Sequence, residues 1–228
     1  MTRAKIALAA ATQIEKGGAE AFSLRQLAKS LGVAPTTISS HFKGGLVEIE
    51  DEVIRVIFAD VAPPFRPLQT PVDYLEHMLY SALTALQGRP TLSMLAILRL
   101  THNPVLVPNI AERALTSLAA LGVAPAQMGT AYREMLQTLF ALILRGPGRA
   151  YLLPRSEKIR EIIDSYRVST SEHPHIFAFK DAIFDDLAAA LSWTPDEGEV
   201  KAAVSRLAER VARLEGVAPV EIRAAENE

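Results

Sequence analysis

Apolar residues recur along most of this sequence at intervals of three or four, the spacing that lines one face of an α-helix. Between residues 72 and 87, for example, Leu75, Met78, Leu79 and Leu86 share one face. No segment shows a convincing alternation of apolar and polar residues, the pattern of a half-buried β-strand. The pattern predicts helices at residues 3–16, 24–31, 35–42, 46–62, 72–87, 91–100, 109–121, 126–145, 156–166, 176–191 and 196–214. We therefore expect an all-α protein.

Glycine and proline residues divide these helices into two groups. Gly-Gly pairs follow the first and third helices, and a proline-rich stretch at 63–67 interrupts the chain after the fourth. Such residues end helices because glycine readily takes positive φ and proline has no amide hydrogen. We expect an N-terminal domain of three helices at residues 1–45 and a larger helical domain at 46–228, with the helix at 46–62 bridging the two.

The segment at residues 24–42 has the pattern of a helix-turn-helix. Ser23 is a suitable N-cap for the first of its two short helices, and Gly32 ends that helix with a tight turn. Ala28 is small where the second helix must cross over the first, and Leu27 and Ile38 are placed to fill the wedge between them. In this motif the second helix enters the major groove of DNA.

The second of these helices carries short polar side chains, many of them with hydroxyl groups. Such groups suit contacts to phosphates, to single base edges and to thymine methyl groups. The candidate DNA-binding residues, basic neighbours included, are Arg25, Lys29, Pro35, Thr36, Thr37, Ser39, Ser40, His41 and Lys43. The alternative is a helical hairpin whose polar face only meets water.

The distribution of charge supports the DNA-binding interpretation. The net charge of -2 argues against a nucleic-acid partner when the chain is taken as a whole. Residues 1–45, however, hold six basic and two acidic side chains, whereas the remainder holds 18 basic and 24 acidic ones. The excess of +4 therefore coincides with the predicted helix-turn-helix.

Several functional classes lack their sequence signals. Without cysteine the chain can form neither disulfides nor a thiolate metal site. It has no apolar run of about 20 residues and no signal-peptide pattern, so we expect a cytoplasmic protein without a membrane partner. A glycine-rich phosphate loop, a Gly-x-Ser-x-Gly elbow and a His-Glu-x-x-His helix are also missing from the sequence. We therefore expect neither an enzyme nor a bound metal or cofactor.

The first 60 residues resemble the TetR family of bacterial transcriptional regulators. The resemblance rests on the first helix, the link at 17–23, the helix-turn-helix and the pair His41-Phe42. It implies a homodimer that reads a palindromic double-stranded DNA operator, with Thr36 to His41 facing the groove. It also implies a C-terminal domain that binds a small-molecule effector and dimerises.

Two positions depart from the family pattern. Ser39 stands where the family usually has an aromatic residue, and Gly45 stands where it usually has lysine. Both groups commonly touch phosphate in the family, so their loss predicts weaker binding or a greater dependence on base contacts. Gly44 and Gly45 also leave the following helix without a strong cap.

The resemblance also assigns roles within the C-terminal domain. The helices at 126–145 and 176–191 would pair with their copies in a four-helix bundle, unless their apolar faces pack inside one subunit. The expected dimer residues are Phe140, Phe177, Ile183, Phe184, Leu187 and Leu191. The effector pocket would lie between the helices from 72 to 145.

An apolar pocket with a few polar groups is the usual form of a small-molecule site. The candidate residues are His77, Met78, Met94, Arg99, His102, Tyr132 and Met135, for which ordinary core or surface positions are the alternative. Arg99 follows apolar residues on its helix and, if buried, needs an anionic partner, either Glu134 or the carboxylate of an effector.

The sequence thus predicts a DNA-binding transcriptional regulator, a repressor whose operator affinity responds to an effector. The alternative is a helical protein-interaction adaptor with weakened or lost DNA binding, which the residues at Ser39 and Gly45 favour.

Overall fold

The computed structural model describes residues 1–62, 69–151 and 194–215. All regular structure in these ranges is helical, which confirms the all-α class. The helices are α1 (Arg3–Gly17), α2 (Leu24–Leu31), α3 (Pro35–His41), α4 (Gly45–Ile57), α5 (Pro71–Leu86), α6 (Pro90–His102), α7 (Pro108–Ala120), α8 (Met128–Arg145) and α9 (Glu197–Glu215). The helices predicted at 156–166 and 176–191 lie outside the described residues.

The N-terminal helices follow their local signals closely. Ser23 caps α2 because its Oγ accepts a hydrogen bond from the Gln26 amide, and Gly32 ends it in the left-handed conformation at φ 65°. The Val33 amide then donates to the Ala28 carbonyl, which closes the turn into α3. Proline at the first position of α3 costs no hydrogen bond, since that amide would be unpaired in any helix.

The core of this region lies between α1, α2, α3 and α4. Ile6, Ile14, Leu27, Ile38 and Ile49 are fully buried there. Ala28, also buried, lies in the helix preceding the turn, as expected for a close crossing of α2 and α3. The single buried residue of α3 is Ile38, so most of that short helix remains at the surface.

Helix α4 packs on α1 and also on α6. We predicted a helix to residue 62, but α4 ends at Ile57. The Val61 amide donates to the Phe58 carbonyl in the turn that follows, and both of these side chains are buried in the larger domain. The apolar residues after Ile57 therefore serve packing in a turn and not a helical stripe.

The remaining helices pack against one another and extend the core beyond α4. Thr70 and Asp73 form a capping box that starts α5. Helix α5 contacts α7, α8 and α9, and α9 also contacts α8. The apolar core runs without interruption from α1 to α9. Among the residues that the structure describes, no helix is both long enough and apolar enough to cross a membrane.

Candidate DNA-binding surface and effector cavity

Helix α3 presents a polar face to solvent and is anchored by its opposite side. Ile38 is fully buried, whereas Thr36, Ser39 and Ser40 are exposed and Thr37 is half-buried. Pro35 is also exposed, and His41 is half-buried at the end of the helix. The burial of Ile38 thus fixes which residues point outward, and the outward set coincides with the predicted groove-facing residues.

The hydroxyl groups on this face are in two different states. Ser39 Oγ donates to the Pro35 carbonyl at 3.3 Å, and Ser40 Oγ donates to the Thr37 carbonyl at 2.8 Å. These bonds use the hydroxyl hydrogens and leave the oxygens as acceptors. The hydroxyls of Thr36 and Thr37 make no hydrogen bond to another described residue, so both remain free to donate.

Three basic side chains flank the polar face. Arg25 and Lys29 are exposed on α2, and Lys43 is exposed just beyond α3. None of them forms an ion pair within the described part of the chain. Unpaired cations beside a polar helix are suited to neutralising phosphates.

The start of α4 is better capped than the sequence suggested. The Gly44 amide donates to the Glu48 carboxylate at 2.8 Å, and this bond, followed by the contact with Arg3, lowers the pKa of Glu48. Gly45 has φ 70°, a conformation that strains other residues. The family's lysine is thus replaced here by a residue that makes the turn into α4.

A small apolar cavity lies among α5, α6, α7, α8 and the turn after α4. Its volume is about 20 Å³, which is room for about one water molecule. The lining residues are Phe58, Val61, Met78, Leu79, Ala82, Leu100, Pro104, Val107, Ile110, Tyr132, Met135, Leu136 and Leu139. The hydroxyl of Tyr132 donates to the Pro104 carbonyl at 2.7 Å, and burial raises the pKa of Tyr132 to about 12. The wall therefore carries no charge at neutral pH.

Three of the predicted pocket residues, Met78, Tyr132 and Met135, line this cavity. The other four lie away from this cavity, and the effector pocket stays a prediction. His77 is exposed and borders an open cleft between α5 and α9. Met94 is half-buried elsewhere on α6, and His102 is exposed with Nδ1 2.8 Å from the Leu98 carbonyl oxygen.

Arg99 is the fourth of these residues, and it pairs with α4. Its Nε donates to Asp51 Oδ1 at 2.7 Å, and Nη1 lies 3.9 Å from Glu50 Oε2. The side chain is only 12% exposed. Glu134, one of the two partners that we considered, instead pairs with Arg210 at 3.3 Å. Arg99 therefore connects α6 to α4 through these two carboxylates.

Sequence reasoning missed Phe58, Val61 and Leu100 as cavity residues. The predicted helix at 46–62 contains Phe58 and Val61, whereas both residues follow the end of α4 in a turn against the cavity. Leu100 is the immediate neighbour of Arg99, so α6 turns one residue towards the cavity and the next towards α4. The predicted helix at 91–100 ends at Leu100, and apolar periodicity alone does not say which neighbouring helix such a residue faces.

Three further hydrogen bonds hold the N-terminal helices against α6 and the loop that follows it. The Glu15 carboxylate, near the end of α1, accepts hydrogen bonds from the Thr91 and Leu92 amides at 3.3 and 3.0 Å. Arg55 Nε, on α4, donates to the Leu106 carbonyl at 3.1 Å. The carboxylate of Glu15 satisfies amides that have no partner within α6.

The described part of the predicted dimer face is limited to α8. Phe140 is half-buried, and Leu144 is 39% exposed on the same helix. The other predicted dimer residues, Phe177, Ile183, Phe184, Leu187 and Leu191, lie outside the described residues. Dimerisation therefore stays a prediction.

Comparison with known proteins places the N-terminal helices in a family. Residues 6–44 match the family model described as bacterial regulatory proteins, tetR family. The match contains most of α1, all of α2 and α3, and the turn before α4. No curated protein matches the sequence.

Solved structures extend the likeness to the rest of the fold. A TetR transcriptional regulator from Streptomyces coelicolor is 18% identical, with a TM-score of 0.64 over 94% of this chain and 99% of its own. The TetR family protein ActR from the same organism, in complex with (S)-DNPA, is 17% identical, with a TM-score of 0.61 over 93% and 98% of the two chains. BioQ with its natural double-stranded DNA operator is 17% identical, with a TM-score of 0.57 over 74% and 99%.

Residues 6–44 of the chain therefore match the tetR family of bacterial regulatory proteins, and the chain has the fold of solved TetR regulators.

Proposed function

We propose that this protein is a homodimeric repressor that binds a palindromic DNA operator through α3 and releases it when a small molecule enters the cavity of the larger domain. The observation that carries the proposal is the polar face of α3, anchored by Ile38 and flanked by unpaired cations. The DNA-bound BioQ structure and the ligand-bound ActR structure, which share the fold, support the two halves of the proposal.

Two connections link the cavity to α4, the helix that follows α3 in the chain. Phe58 and Val61, directly after α4, form part of the cavity wall. Leu100 also lines the wall, and its neighbour Arg99 binds Asp51 of α4. An effector that pushes the cavity wall apart would therefore move α4 by two routes. One is the turn at its C-terminal end, and the other is the bond from Arg99 of α6 to Asp51. The free-energy shift in operator binding cannot exceed the difference in effector-binding free energy between the two arrangements.

The Thr37→Ala variant tests the role of α3. We expect its affinity for a duplex that the wild-type protein enriches from a random-sequence pool (the selected duplex) to fall about tenfold, because a hydroxyl at the groove is lost. The thermal midpoint should be unchanged, since that hydroxyl makes no bond to another described residue. Fluorescence anisotropy titration measures the affinity.

Thr116→Ala on α7 is the matched control, because Thr116 is an exposed threonine of the larger domain. Equal affinities of the two variants and the wild type would show that α3 does not read the duplex. If the wild-type protein has no affinity for any duplex even at low salt, the adaptor alternative gains support.

The Ala82→Leu variant tests the cavity as a binding site. Ala82 is buried in the wall, which carries no charge, so N-phenyl-1-naphthylamine is a suitable neutral fluorescent probe. The flexible side chains of Met78 and Met135 allow the wall to adapt to such a molecule. We expect saturable binding to the wild type and at least about tenfold weaker binding to the variant, because the larger side chain occupies the opening.

Ala119→Leu, at an exposed position of α7, is the control for this substitution. Probe binding that is equal in all three proteins would place the probe outside the cavity. The absence of saturable binding by the wild type would contradict an apolar effector site here.

A further inference from the structure

Arg3, the first residue of α1, reaches the far end of α3. Its Nη1 donates to the His41 carbonyl, and its guanidinium carbon lies 4.2 Å from the centre of the Phe42 ring. A cation at the C-terminal end of a helix is favoured by the exposed carbonyl groups there. The contact with Phe42 also uses the flat face of the guanidinium group, which stacks well on aromatic rings.

The same guanidinium group is held from the other side by α4. Arg3 Nη1 lies 2.8 Å from Glu48 Oε1, and Nη2 lies 3.4 Å from Glu52 Oε2. Glu48 also accepts the Gly44 amide, so one carboxylate connects Arg3 to the turn between α3 and α4. One side chain thereby joins α1, the end of α3 and α4.

Few groups hold the C-terminal end of α3. Ile38 is the only buried residue of α3, the buried Phe42 directly follows the helix, and Gly44 and Gly45 then make the turn into α4, with φ 70° at Gly45. The direction in which Ser40 and His41 point therefore depends on what holds the carbonyl end of the helix. Arg3 supplies that hold while most of its hydrogen-bonding capacity is taken by His41, Glu48 and Glu52.

We infer that Arg3 is a positioning residue for DNA reading, which fixes the orientation of α3 and does not itself bind phosphate. The inference rests on the proposed DNA-binding function of α3. A lysine at this position keeps the charge but has no planar fork, so it cannot hold His41, Glu48, Glu52 and the Phe42 ring together. Charge and geometry can thus be separated by one substitution.

The test compares wild type, Arg3→Lys and Arg3→Ala on the selected duplex and on an unrelated duplex of the same length, over a series of salt concentrations. We expect both variants to bind the selected duplex about tenfold more weakly, with little change on the unrelated duplex. The dependence of affinity on salt should stay at the wild-type slope, because no phosphate contact is lost. A merely stabilising role would leave the ratio of the two affinities unchanged.

Two results would overturn the inference. Wild-type affinity of Arg3→Lys would show that the fork geometry is unimportant. A salt slope that falls by about one per subunit in Arg3→Ala, with Arg3→Lys like the wild type, would assign a direct phosphate contact to Arg3. A wild-type protein that binds no duplex would overturn the inference together with the proposed function.

Lys5→Ala is the matched control, because it removes one positive charge from an exposed position of α1. Its ratio of selected to unrelated affinity should equal that of the wild type. If Arg3→Lys does not fold, Glu48→Gln takes its place, because it removes the negative charge of one of the ion-pair partners of Arg3. In Arg3→Lys or Glu48→Gln, the backbone amides of α3 should exchange hydrogen faster than in the wild type, whereas those of α5 to α8 should exchange at the wild-type rate. Unchanged exchange in α3 would also count against the inference.

Discussion

Replacing Arg99 with leucine is expected to lower the free energy of unfolding by about 3 kcal/mol, because two carboxylates lose the cation that compensates their burial. The side chains of Glu50 and Asp51 are each only 17% exposed. In a chain of this length such a loss lowers the thermal midpoint by roughly 6–12 °C. Thermal and urea denaturation at pH 7 measure the change. A variant as stable as the wild type would show that the pair between α4 and α6 contributes little.

Substitution of each carboxylate, one in the variant and one in the wild type, provides an internal control. Asp51→Asn in the Arg99→Leu background should recover part of the lost stability, because it removes a charge left without a partner. Glu50→Gln in the wild-type background should be neutral or stabilising. Burial raises the pKa of Glu50 more strongly than Arg99 lowers it, so the charged form is disfavoured in the folded protein.

The pH dependence of the stability gained by Glu50→Gln follows from the raised pKa of Glu50. A carboxyl whose pKa is raised on folding destabilises the protein as pH rises through its unfolded and folded pKa values. The gain from Glu50→Gln should therefore be present at pH 7 and disappear below the ordinary pKa of 4.5, where the carboxyl is protonated in both states. A gain that persists at low pH would assign it to packing and not to charge.

The Thr36→Glu variant should abolish specific DNA binding. It places a carboxylate on the exposed face of α3, where it would face phosphates, and the proposed dimer would carry the change twice. We expect affinity for the selected duplex to fall by roughly a hundredfold or more, as two unfavourable contacts of about 1–3 kcal/mol add. Anisotropy titration at fixed salt measures the loss.

Thr116→Glu adds the same negative charge at an exposed position of α7. It therefore separates a local effect on α3 from the effect of the net charge of the protein. Long-range repulsion alone would weaken binding by both variants to a similar extent, and the effect would fade as salt rises. A loss confined to Thr36→Glu supports α3 as the reading helix. Retained binding by Thr36→Glu would exclude this face from the interface.

The N-terminal part of the fold could be predicted well because its signals are local. Ser23, Gly32 and Pro35 each determine the backbone of their own turn, so helix boundaries follow without knowledge of the rest of the chain. The burial of Ile38 then settles which side of α3 faces out. The surface proposed to bind DNA was therefore accessible from sequence.

The cavity and the partner of Arg99 could not be predicted in this way. Periodicity identifies buried positions on a helix but does not say which other helix covers them. Arg99 pairs with Asp51 because α6 packs on α4, a contact between residues 48 positions apart. The burial of Phe58 and Val61 likewise depends on a turn after α4, and their sequence spacing is the same as that of residues in a continuing helix. Arg3 was counted only as charge, since no local pattern links it to His41.

The small volume of the cavity sets a threshold for the effector concentration to which the proposed regulator responds. With about 20 Å³ of free space, a drug-sized molecule can enter only a rearranged form of the wall. When such a form is a fraction of the population, the apparent dissociation constant is the intrinsic one divided by that fraction, so occupancy of about 1% weakens binding about a hundredfold. The effector concentration that releases the operator is thus governed by how tightly Met78, Leu100 and their neighbours pack. Substitutions that loosen this packing would sensitise the regulator without adding any contact to its effector.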